Sequence, residues 1–478
     1  MPEVRHMKED AMPLLCSLLL VFLLPVAARA QGAASPEWSA VEAETLRHFQ
    51  ALVRLDTSDP PGREQEAVDY LRGVLEADGI PVQTYVLESG RPNLVARLTG
   101  RGPGRPLLLM AHTDVVNVDP ARWSHPPFGA VREGGYVYGR GTLDDKDNLA
   151  SALMVMLLLK RLNVPLARDV ILLAEAGEEG TTRVGIQFMT EQHFPAIDAE
   201  YCLAEGGRVE RRDGQARFAA VQTLEKIPRA VEVTARGVAG HASVPLQSNA
   251  VVRLGTALAR IADWQPPIQL NETTGTYFRR LAQIASPEAA RRYADVLDPA
   301  KVQAVEQEFR ATEPAHAAIL HATASPTMVD AGYRLNVIPS EAKASIDLRL
   351  LPDDDPAAIL ESLRAAIADP AVSVDWAPRD VRPGGTSRLD TRAFEAIEAA
   401  VRRHYDVPTL PTMSTGATDM AYLRARGVQC YGIGPGIDVE DGPLGFGAHS
   451  DQERILEGEL HRFVRFTWDV VTQLVVTP

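Results

Sequence analysis

Three short apolar segments of the sequence are each followed, within a few residues, by side chains that can bind metal ions. In chain order these are 107–110 before His112 and Asp114, 170–174 before Glu178 and Glu179, and 201–204 before Glu205. Short apolar segments of this kind are typical of buried parallel strands. Because ligands bind beyond the carboxyl ends of the strands in an open α/β sheet, these side chains are expected at one sheet edge. Imidazole nitrogens and carboxylate oxygens placed together there indicate a hydrolase with two metal ions.

A glycine-containing turn adds a further carboxylate to this set. The turn at 139–146 presents Asp144 or Asp145 at the beginning of the helix that follows it. A carboxylate at such a position can instead be a helix cap, and that interpretation applies to Asp145 and Asp147. His449, in a loop near the C-terminus, would complete the set of nitrogen ligands.

The adjacent glutamates can take two different roles. Neighbouring residues in a loop can point in different directions, so one of Glu178 and Glu179 can bind a metal ion while the other acts as a general base. Asp114 lies two residues after His112 on an extended chain, where it can hydrogen-bond the second imidazole nitrogen. Taken singly, each motif is more often an ordinary surface feature. The order of the whole set and its position after predicted strands carry the prediction.

Composition and charge limit the classes of partner. A chain of 478 residues is too long for one ordinary core and predicts two domains of unequal size. The formal net charge of −14 argues against nucleic acid and anionic membrane surfaces as partners. Cys202 and Cys430 lie in strand-like apolar segments and are expected to be buried thiols rather than a disulfide.

The N-terminus has the features of an export signal. Residues 14–26 are apolar, and Ala28 and Ala30 form a small-x-small cleavage pattern. The apolar stretch is short for a membrane span of ~20 residues, so a membrane anchor is the weaker alternative. We therefore predict a signal peptide at 1–30, export to the periplasm or outside the cell, and no stable membrane span after cleavage.

The pattern of apolar residues divides the mature chain into three segments. Helices alternate with strands at 31–228, which predicts a mostly parallel sheet covered by helices. Within 229–382, apolar residues alternate with period two at 231–235 and 342–350, as in half-exposed antiparallel strands. From 383–478 the chain returns to the first pattern. The fold class is therefore α/β, with a mostly parallel-sheet catalytic domain and an inserted α+β domain.

Individual elements are predicted from the same periodicities. Helices are expected at 38–55, 64–77, 148–162, 249–263, 356–367, 391–404 and 459–475, and strands at 93–98, 106–111 and 428–432. The segment 265–325 is polar and helical in pattern, and it carries no motif that indicates chemistry.

Two neighbouring segments carry a family resemblance. Trp-Ser-His-Pro-Pro-Phe at 123–128 is followed by Tyr-Gly-Arg-Gly-Thr-Leu-Asp-Asp-Lys at 138–146. With these motifs the chain resembles the di-zinc aminoacylase/carboxypeptidase metallopeptidases, a family that includes glutamate carboxypeptidase, aminoacylase-1 and succinyl-diaminopimelate desuccinylase. The resemblance is strongest to the branch of carboxypeptidase S and the secreted N-fatty-acyl amino acid hydrolases, and it covers essentially the whole mature chain. It implies that the inserted domain is a lid and dimerisation domain.

The resemblance implies a role for each candidate residue. The implied set is Asp144 as a bridge between two zinc ions, His112 and Glu205 on one ion, Glu179 and His449 on the other, Glu178 as the general base, and Asp114 as the residue that orients His112. Cobalt or manganese can substitute for zinc in a mixed set of nitrogen and oxygen ligands. The expected cofactor is therefore two Zn²⁺ ions per chain.

The resemblance also assigns residues of the inserted domain and of one turn. His241, in Gly-His-Ala-Ser at 240–243, would reach the active site of the partner subunit in a homodimer and polarise the scissile carbonyl. Asn336 and Arg349 match positions that hold the substrate near its carboxylate. Gly416 lies in a segment that resembles the substrate-facing turn of the family.

Together these features predict a zinc-dependent metallohydrolase that cleaves the amide bond before a C-terminal amino acid. Carboxypeptidases and N-acyl-amino-acid amidohydrolases both catalyse this reaction, and their substrates are small peptides or N-acyl amino acids. An aminopeptidase or dipeptidase of the same family would share the metal site, although Glu205 in place of an aspartate favours the carboxypeptidase and acylase side. A non-catalytic binding protein of the same fold would be expected to lose a ligand or the base, and this sequence retains all of them.

Overall fold

Four adjacent parallel strands form the centre of the largest sheet. The computed structural model describes residues 35–378 and 381–476, and the predicted signal peptide at 1–30 lies outside them. From Pro36 onwards the chain forms one compact unit. Within the two described ranges, no helix has the length and apolar character that a membrane crossing requires.

The strands and helices are numbered in chain order. The strands are β1 Val82–Val86, β2 Pro92–Leu98, β3 Gly104–His112, β4 Val131–Glu133, β5 Tyr136–Tyr138, β6 Arg168–Glu175, β7 Tyr201–Ala204, β8 Arg208–Arg212, β9 Gln215–Glu225, β10 Ile227–Arg236, β11 Gly240–His241, β12 Thr323–Ala331, β13 Val337–Ile338, β14 Glu341–Leu350, β15 Val372–Trp376, β16 Thr409–Ser414, β17 Gln429–Gly432, β18 Gly436–Asp438 and β19 Arg454–Leu456. The α-helices are α1 Trp38–Val53, α2 Gln65–Ala77, α3 Lys146–Arg161, α4 Ile186–Gln192, α5 Phe194–Ile197, α6 Ala250–Ala262, α7 Glu272–Leu281, α8 Pro287–Asp295, α9 Val302–Thr312, α10 Pro314–Ala318, α11 Pro356–Ile367, α12 Arg392–Tyr405, α13 Met420–Arg424 and α14 Glu457–Val475.

The large sheet has the order β1-β2-β6-β3-β7-β17-β9-β8-β18, with β16 paired to β9. Strands β6, β3, β7 and β17 run parallel to one another. Antiparallel pairs flank them on both sides. On one side β2 pairs with β6 and β1 pairs with β2. On the other side β9 pairs with β17 and with β8. The prediction of an α/β fold with a mostly parallel central sheet is thus confirmed.

Both faces of the large sheet are covered by helices. Leu107 and Leu109 of β3 pack in the core formed with α1, α2, α3, α12 and α14. Leu108 and Met110 of the same strand face the opposite core, which includes residues of α4 and α13. Because successive side chains of a strand point to opposite faces, a strand segment covered on both sides is apolar on both faces, as residues 107–111 of β3 show.

A smaller antiparallel sheet has the order β12-β14-β10-β15. Buried and half-buried residues alternate along β14, as the period-two pattern predicted. Helices α6 and α11 cover one face of this sheet and complete a separate hydrophobic core. Strand β10 begins two residues after β9 ends, so the chain passes directly from the large sheet to the small one through Lys226.

The segment 265–325 contains α7 to α10 and packs on the large sheet. Phe278 and Phe309 are fully buried in a core that also contains Phe218 of β9 and Leu410 of β16. The rings of Phe278 and Phe309 stack with their centroids 5.8 Å apart. This segment is therefore an additional helical layer that packs against β9 and β16 of the large sheet.

Most predicted elements lie where the sequence placed them, and α11 has the predicted bounds. Helix α3 begins at Lys146, two residues before the predicted start. Its first turn is polar but buried, with Lys146 Nζ donating to the main-chain oxygen of Leu55 at 2.8 Å, so apolar periodicity does not reveal it. Cys202 and Cys430 are both free and buried, which confirms the prediction of thiols.

We expect Phe309→Ala to lower the free energy of unfolding by about 3–5 kcal/mol, because it leaves a cavity in a packed core. Ile284→Ala is the matched control, since Ile284 lies in the same segment but is 42% exposed. Denaturant unfolding of both variants measures the difference. If Phe309→Ala were no more destabilising than the control, the segment would not be packed on the sheet.

Candidate active site

The carboxyl ends of three neighbouring parallel strands place candidate residues at one sheet edge. His112 is the last residue of β3, and Glu205 follows directly after β7. Glu178 and Glu179 lie in the turn after β6, the neighbour of β3 on the other side. The turn requires a glycine, because Gly177 has a φ of 77° and a Cβ there would lie 2.5 Å from the Thr181 oxygen.

Two groups of candidate ligands share one aspartate. His112, Asp144 and Glu205 form the first group, and Asp144, Glu179 and His449 form the second, with ligand atoms in each group within 4.8 Å of one another. His112 Nε2 lies 2.9 Å from Asp144 Oδ1, while His449 Nε2 lies 3.0 Å from Asp144 Oδ2. The two oxygens of Asp144 therefore face different histidines, which is the arrangement that a bridging carboxylate needs.

The main chain orients His112. Its Nδ1 lies 3.0 Å from the main-chain oxygen of Asp114, which requires a proton on Nδ1 and leaves the lone pair on Nε2 when the ring is neutral. The Asp114 carboxylate is 3.6 Å from the same nitrogen, beyond hydrogen-bonding distance. Asp114 thus orients the imidazole through its carbonyl group, whereas the sequence suggested its side chain.

The Asp114 carboxylate instead holds the glutamate turn. Oδ1 accepts from the main-chain N–H groups of Gly177 and Glu178 at 2.9 and 3.2 Å. Oδ2 accepts from the N–H of Glu179 at 2.9 Å. Asp114 is fully buried, so these hydrogen bonds fix the turn that carries both glutamates.

The predicted capping role of Asp145 is wrong. Asp145 occupies the N-cap position of α3, but its side chain caps no backbone N–H of that helix. Its carboxylate accepts from the His112 N–H at 3.2 Å and from Asn148 Nδ2 at 2.7 Å, and so ties α3 to the end of β3. Asp147 lies in the first turn of α3, where both carboxylate oxygens are buried without a hydrogen-bond partner among the described residues.

Glu453, which the sequence did not single out, connects the Asp144 turn to the loop that carries His449. Its carboxylate accepts from Arg140 Nη1 at 2.6 Å and from the N–H groups of Gly141 and Leu143 at 3.1 and 2.7 Å. Both charged side chains are buried. Glu453 lies four residues after His449, which is the only local signal that could have indicated it.

The charges of the site favour bound cations. Burial, together with the nearby Glu178 and Asp144, raises the pKa of Glu205 well above its usual range. Burial also raises the pKa of Glu178 to about 7, against the attraction of Arg382. Hydrogen bonds to Asp144 and Glu179 raise the pKa of His449 to about 10. A raised pKa means that the charged form of a carboxylate is unfavourable in this environment. A bound metal ion would stabilise that charged form.

The donor set fits two zinc ions. Imidazole nitrogens and carboxylate oxygens are ordinary zinc ligands, and each group offers three of them, including the shared carboxylate of Asp144. Glu178 belongs to neither group, although it lies next to Glu179. A third acidic cluster of Asp59, Glu64 and Asp114 is different, because Arg91 pairs with Asp59 and Glu64 and neutralises them.

The four residues assigned beyond the metal centre lie in three other places. His241 ends β11, and the following Ala242 N–H donates to the Asn336 oxygen at 3.1 Å, so His241 and Asn336 are neighbours. Arg349 on β14 pairs with Asp347, and Gly416 follows β16. Among the described residues, no hydrogen bond or ion pair joins these four to the candidate ligands.

Comparison with known proteins identifies the family. The family model described as Peptidase family M20/M25/M40 matches residues 108–473. The chain therefore belongs to this family, and the predicted family resemblance is confirmed.

Similar sequences and structures agree with this assignment. The N-fatty-acyl-amino acid synthase/hydrolase PM20D1 of Homo sapiens is 27% identical over 328 residues, which are 67% of this chain and 64% of the human protein. The chain thus spans less than two thirds of that relative. Aminoacylase-1 of Mus musculus is 25% identical over 81% of this chain and 86% of its own length.

A solved structure supports the fold. The M20 family metallo-carboxypeptidase Sso-CP2 from Sulfolobus solfataricus superposes with a TM-score of 0.65 at 19% identity. The superposition covers 90% of this chain and 98% of the other.

The two adjacent glutamates should respond differently to substitution. Glu179→Ala is expected to lower the metal content, because Glu179 belongs to one ligand group and Glu178 to neither. Glu178→Ala should keep two ions per chain and lose nearly all turnover. Elemental analysis of zinc-loaded, desalted protein measures the content. If Glu178→Ala lost metal and Glu179→Ala kept it, the two assignments would be exchanged.

Proposed function

We propose that the protein is a zinc-dependent amidohydrolase that cleaves the amide bond before a C-terminal amino acid. The observation that carries the proposal is the sharing of Asp144 between two ligand groups, beside a glutamate that belongs to neither. His112, Glu205, Glu179 and His449 would complete the two sites. The names of similar proteins, a synthase/hydrolase of N-fatty-acyl amino acids and an aminoacylase, point to the same type of bond.

The protein's own residues supply the proton transfers. Two bound zinc ions would lower the pKa of a water molecule and polarise the scissile carbonyl. Glu178 takes a proton from the attacking water and later returns it to the leaving amine. Because its carboxylate is 10% exposed, the proton passes in a site that largely excludes bulk water.

His241 is the proposed donor to the developing oxyanion. Its Nδ1 accepts from the Ser243 N–H at 3.1 Å and lies 2.7 Å from Ser243 Oγ. A ring that accepts at Nδ1 carries its proton on Nε2 when neutral, so Nε2 is available as a donor. The resemblance of Gly-His-Ala-Ser at 240–243 to the family motif supports action at the second site, in the partner subunit.

A homodimer through the smaller sheet would bring His241 to that second site. Strand β12 is an edge strand of this sheet, and its Met328 and Val329 are 69% and 61% exposed. Val252 on α6 is also largely exposed. An open strand edge with exposed apolar side chains is a favourable surface for pairing with a second copy.

Arg349 is the proposed ligand of the substrate carboxylate, together with Asn336 and Gly416. In the structure its guanidinium makes two hydrogen bonds to Asp347, at 2.7 and 3.2 Å. A substrate carboxylate would therefore bind beside this pair or displace Asp347. Aminopeptidase or dipeptidase activity is the alternative, and comparing a free acid with its amide separates the aminopeptidase.

For the N-terminal segment we propose cleavage of residues 1–30 and export.

Substrates are expected to need a free α-carboxylate on the leaving amino acid. Wild type should hydrolyse an N-acyl amino acid at least about 10²-fold faster than its amide, because a site built for a carboxylate leaves polar groups unpaired without it. Arg349→Ala should lose most of this preference. Lys343→Ala, which removes a cation from the same strand, is the control that keeps it. Equal hydrolysis of acid and amide by wild type would contradict the carboxylate site and favour the aminopeptidase alternative.

His241→Ala should retain both metal ions and reduce kcat by about 10²–10³-fold, the usual loss for an oxyanion donor. Mixing it with Glu178→Ala protein should restore activity, because each heterodimer contains one site with both groups. Statistical exchange would return up to about one quarter of wild-type activity. No recovery, when differently tagged chains demonstrably exchange, would exclude action across the dimer.

A further inference from the structure

A mostly buried arginine, Arg382, contacts the proposed base at two points. Arg382 Nη1 donates to Glu178 Oε1 at 2.9 Å, and Nη2 donates to the main-chain oxygen of Glu178 at 3.2 Å. Nη1 also donates to Asp419 Oδ1 at 3.2 Å. The side chains of the three residues are at most 16% exposed, so these charge-assisted hydrogen bonds are weakly screened by solvent.

Three of the four polar atoms of Glu178 are held by hydrogen bonds to Arg382 or Asp114. Its N–H donates to Asp114 Oδ1 at 3.2 Å, and its carbonyl oxygen and Oε1 both accept from Arg382. In the part of the chain that the structure describes, no group donates a hydrogen bond to Oε2. Oε2 is therefore the oxygen of this carboxylate that remains for a water molecule.

We propose that Arg382 is a positioning residue for Glu178, which holds Oε1 and thereby presents Oε2 to the attacking water. The inference rests on the proposed function, because it requires Glu178 to be the base. Arg382 lies between β15 and α12, so the chain that returns from the small sheet supplies the group that orients the base. The alternative is a purely structural role, in which Arg382 only neutralises Glu178 and the buried Asp419.

The geometry requires an arginine. The planar guanidinium reaches a side-chain oxygen and a main-chain oxygen of the same residue with two different nitrogens. A lysine carries one compact charge and can replace only one of these contacts while keeping the positive charge. Arg382→Lys should therefore preserve charge neutralisation but not the orientation of the carboxylate, which separates the two roles.

The test compares zinc-loaded wild type with Arg382→Ala, Arg382→Lys, Glu178→Ala and the double variant Arg382→Ala/Glu178→Ala on an N-acyl amino acid. Arg382→Ala should lower kcat about 10²-fold, the cost of a misplaced catalytic group, with KM within about threefold of wild type and two metal ions retained. Arg382→Lys should recover only part of the loss. The double variant should be no slower than Glu178→Ala, because Arg382 acts through Glu178.

Guanidinium ion supplies a second readout that a structural role would not move. Millimolar guanidinium should raise kcat of Arg382→Ala but not that of Glu178→Ala. Arg97→Ala, which removes a partly exposed arginine paired with Asp169, is the control that guanidinium should not affect. The positioning role would be overturned if Arg382→Ala kept the kcat of wild type. It would also be overturned if Arg382→Lys had the full kcat of wild type. Full activity in Glu178→Ala would instead overturn the proposed function itself.

Discussion

The concentration of buried negative charge around Asp144 is the constraint on which the rest of the site depends. Asp144, Glu178, Glu179 and Glu205 meet where solvent access is limited, and without cations they repel one another. The fold holds them by fixed donors, among which the N–H groups bound by Asp114 set the glutamate turn. Metal ions would then complete a site that is largely formed, because His112 and Glu205 lie at strand ends and Glu179 lies in a hydrogen-bonded turn.

Two distant parts of the chain meet at this site through ion pairs. Glu453 pairs with Arg140 and ties the C-terminal loop to the turn that carries Asp144. Arg382 ties the segment after the small sheet to Glu178. Arg140 and Glu453 are both buried, and breaking such a pair leaves an uncompensated charge that costs about 3–5 kcal/mol. Their positions suggest that the same contacts which stabilise the fold also set the angle of the metal-binding and basic groups.

The sequence predicted the central sheet and the candidate ligands because both have local signals. Apolar strands followed by histidine or glutamate identify strand ends, and parallel strands bring those ends together, as His112 and Glu205 illustrate. Glu453 and Arg382 had no such signal, since their partners lie 313 and 204 residues away. For Asp114 the sequence suggested a hydrogen bond from His112 to the carboxylate, whereas the structure has it to the main-chain oxygen. Which oxygen faces the imidazole depends on the path of the chain after β3, which the sequence does not show.

Anomalous diffraction from crystals of the zinc-loaded protein tests the central claim most directly. The shared position of Asp144 predicts two zinc peaks about 3.5–4 Å apart, each within about 2.2 Å of a different Asp144 oxygen. One peak should also contact His112 and Glu205, and the other Glu179 and His449. A single peak in fully active protein, or a second peak that does not contact Asp144, would contradict the bridged two-metal centre.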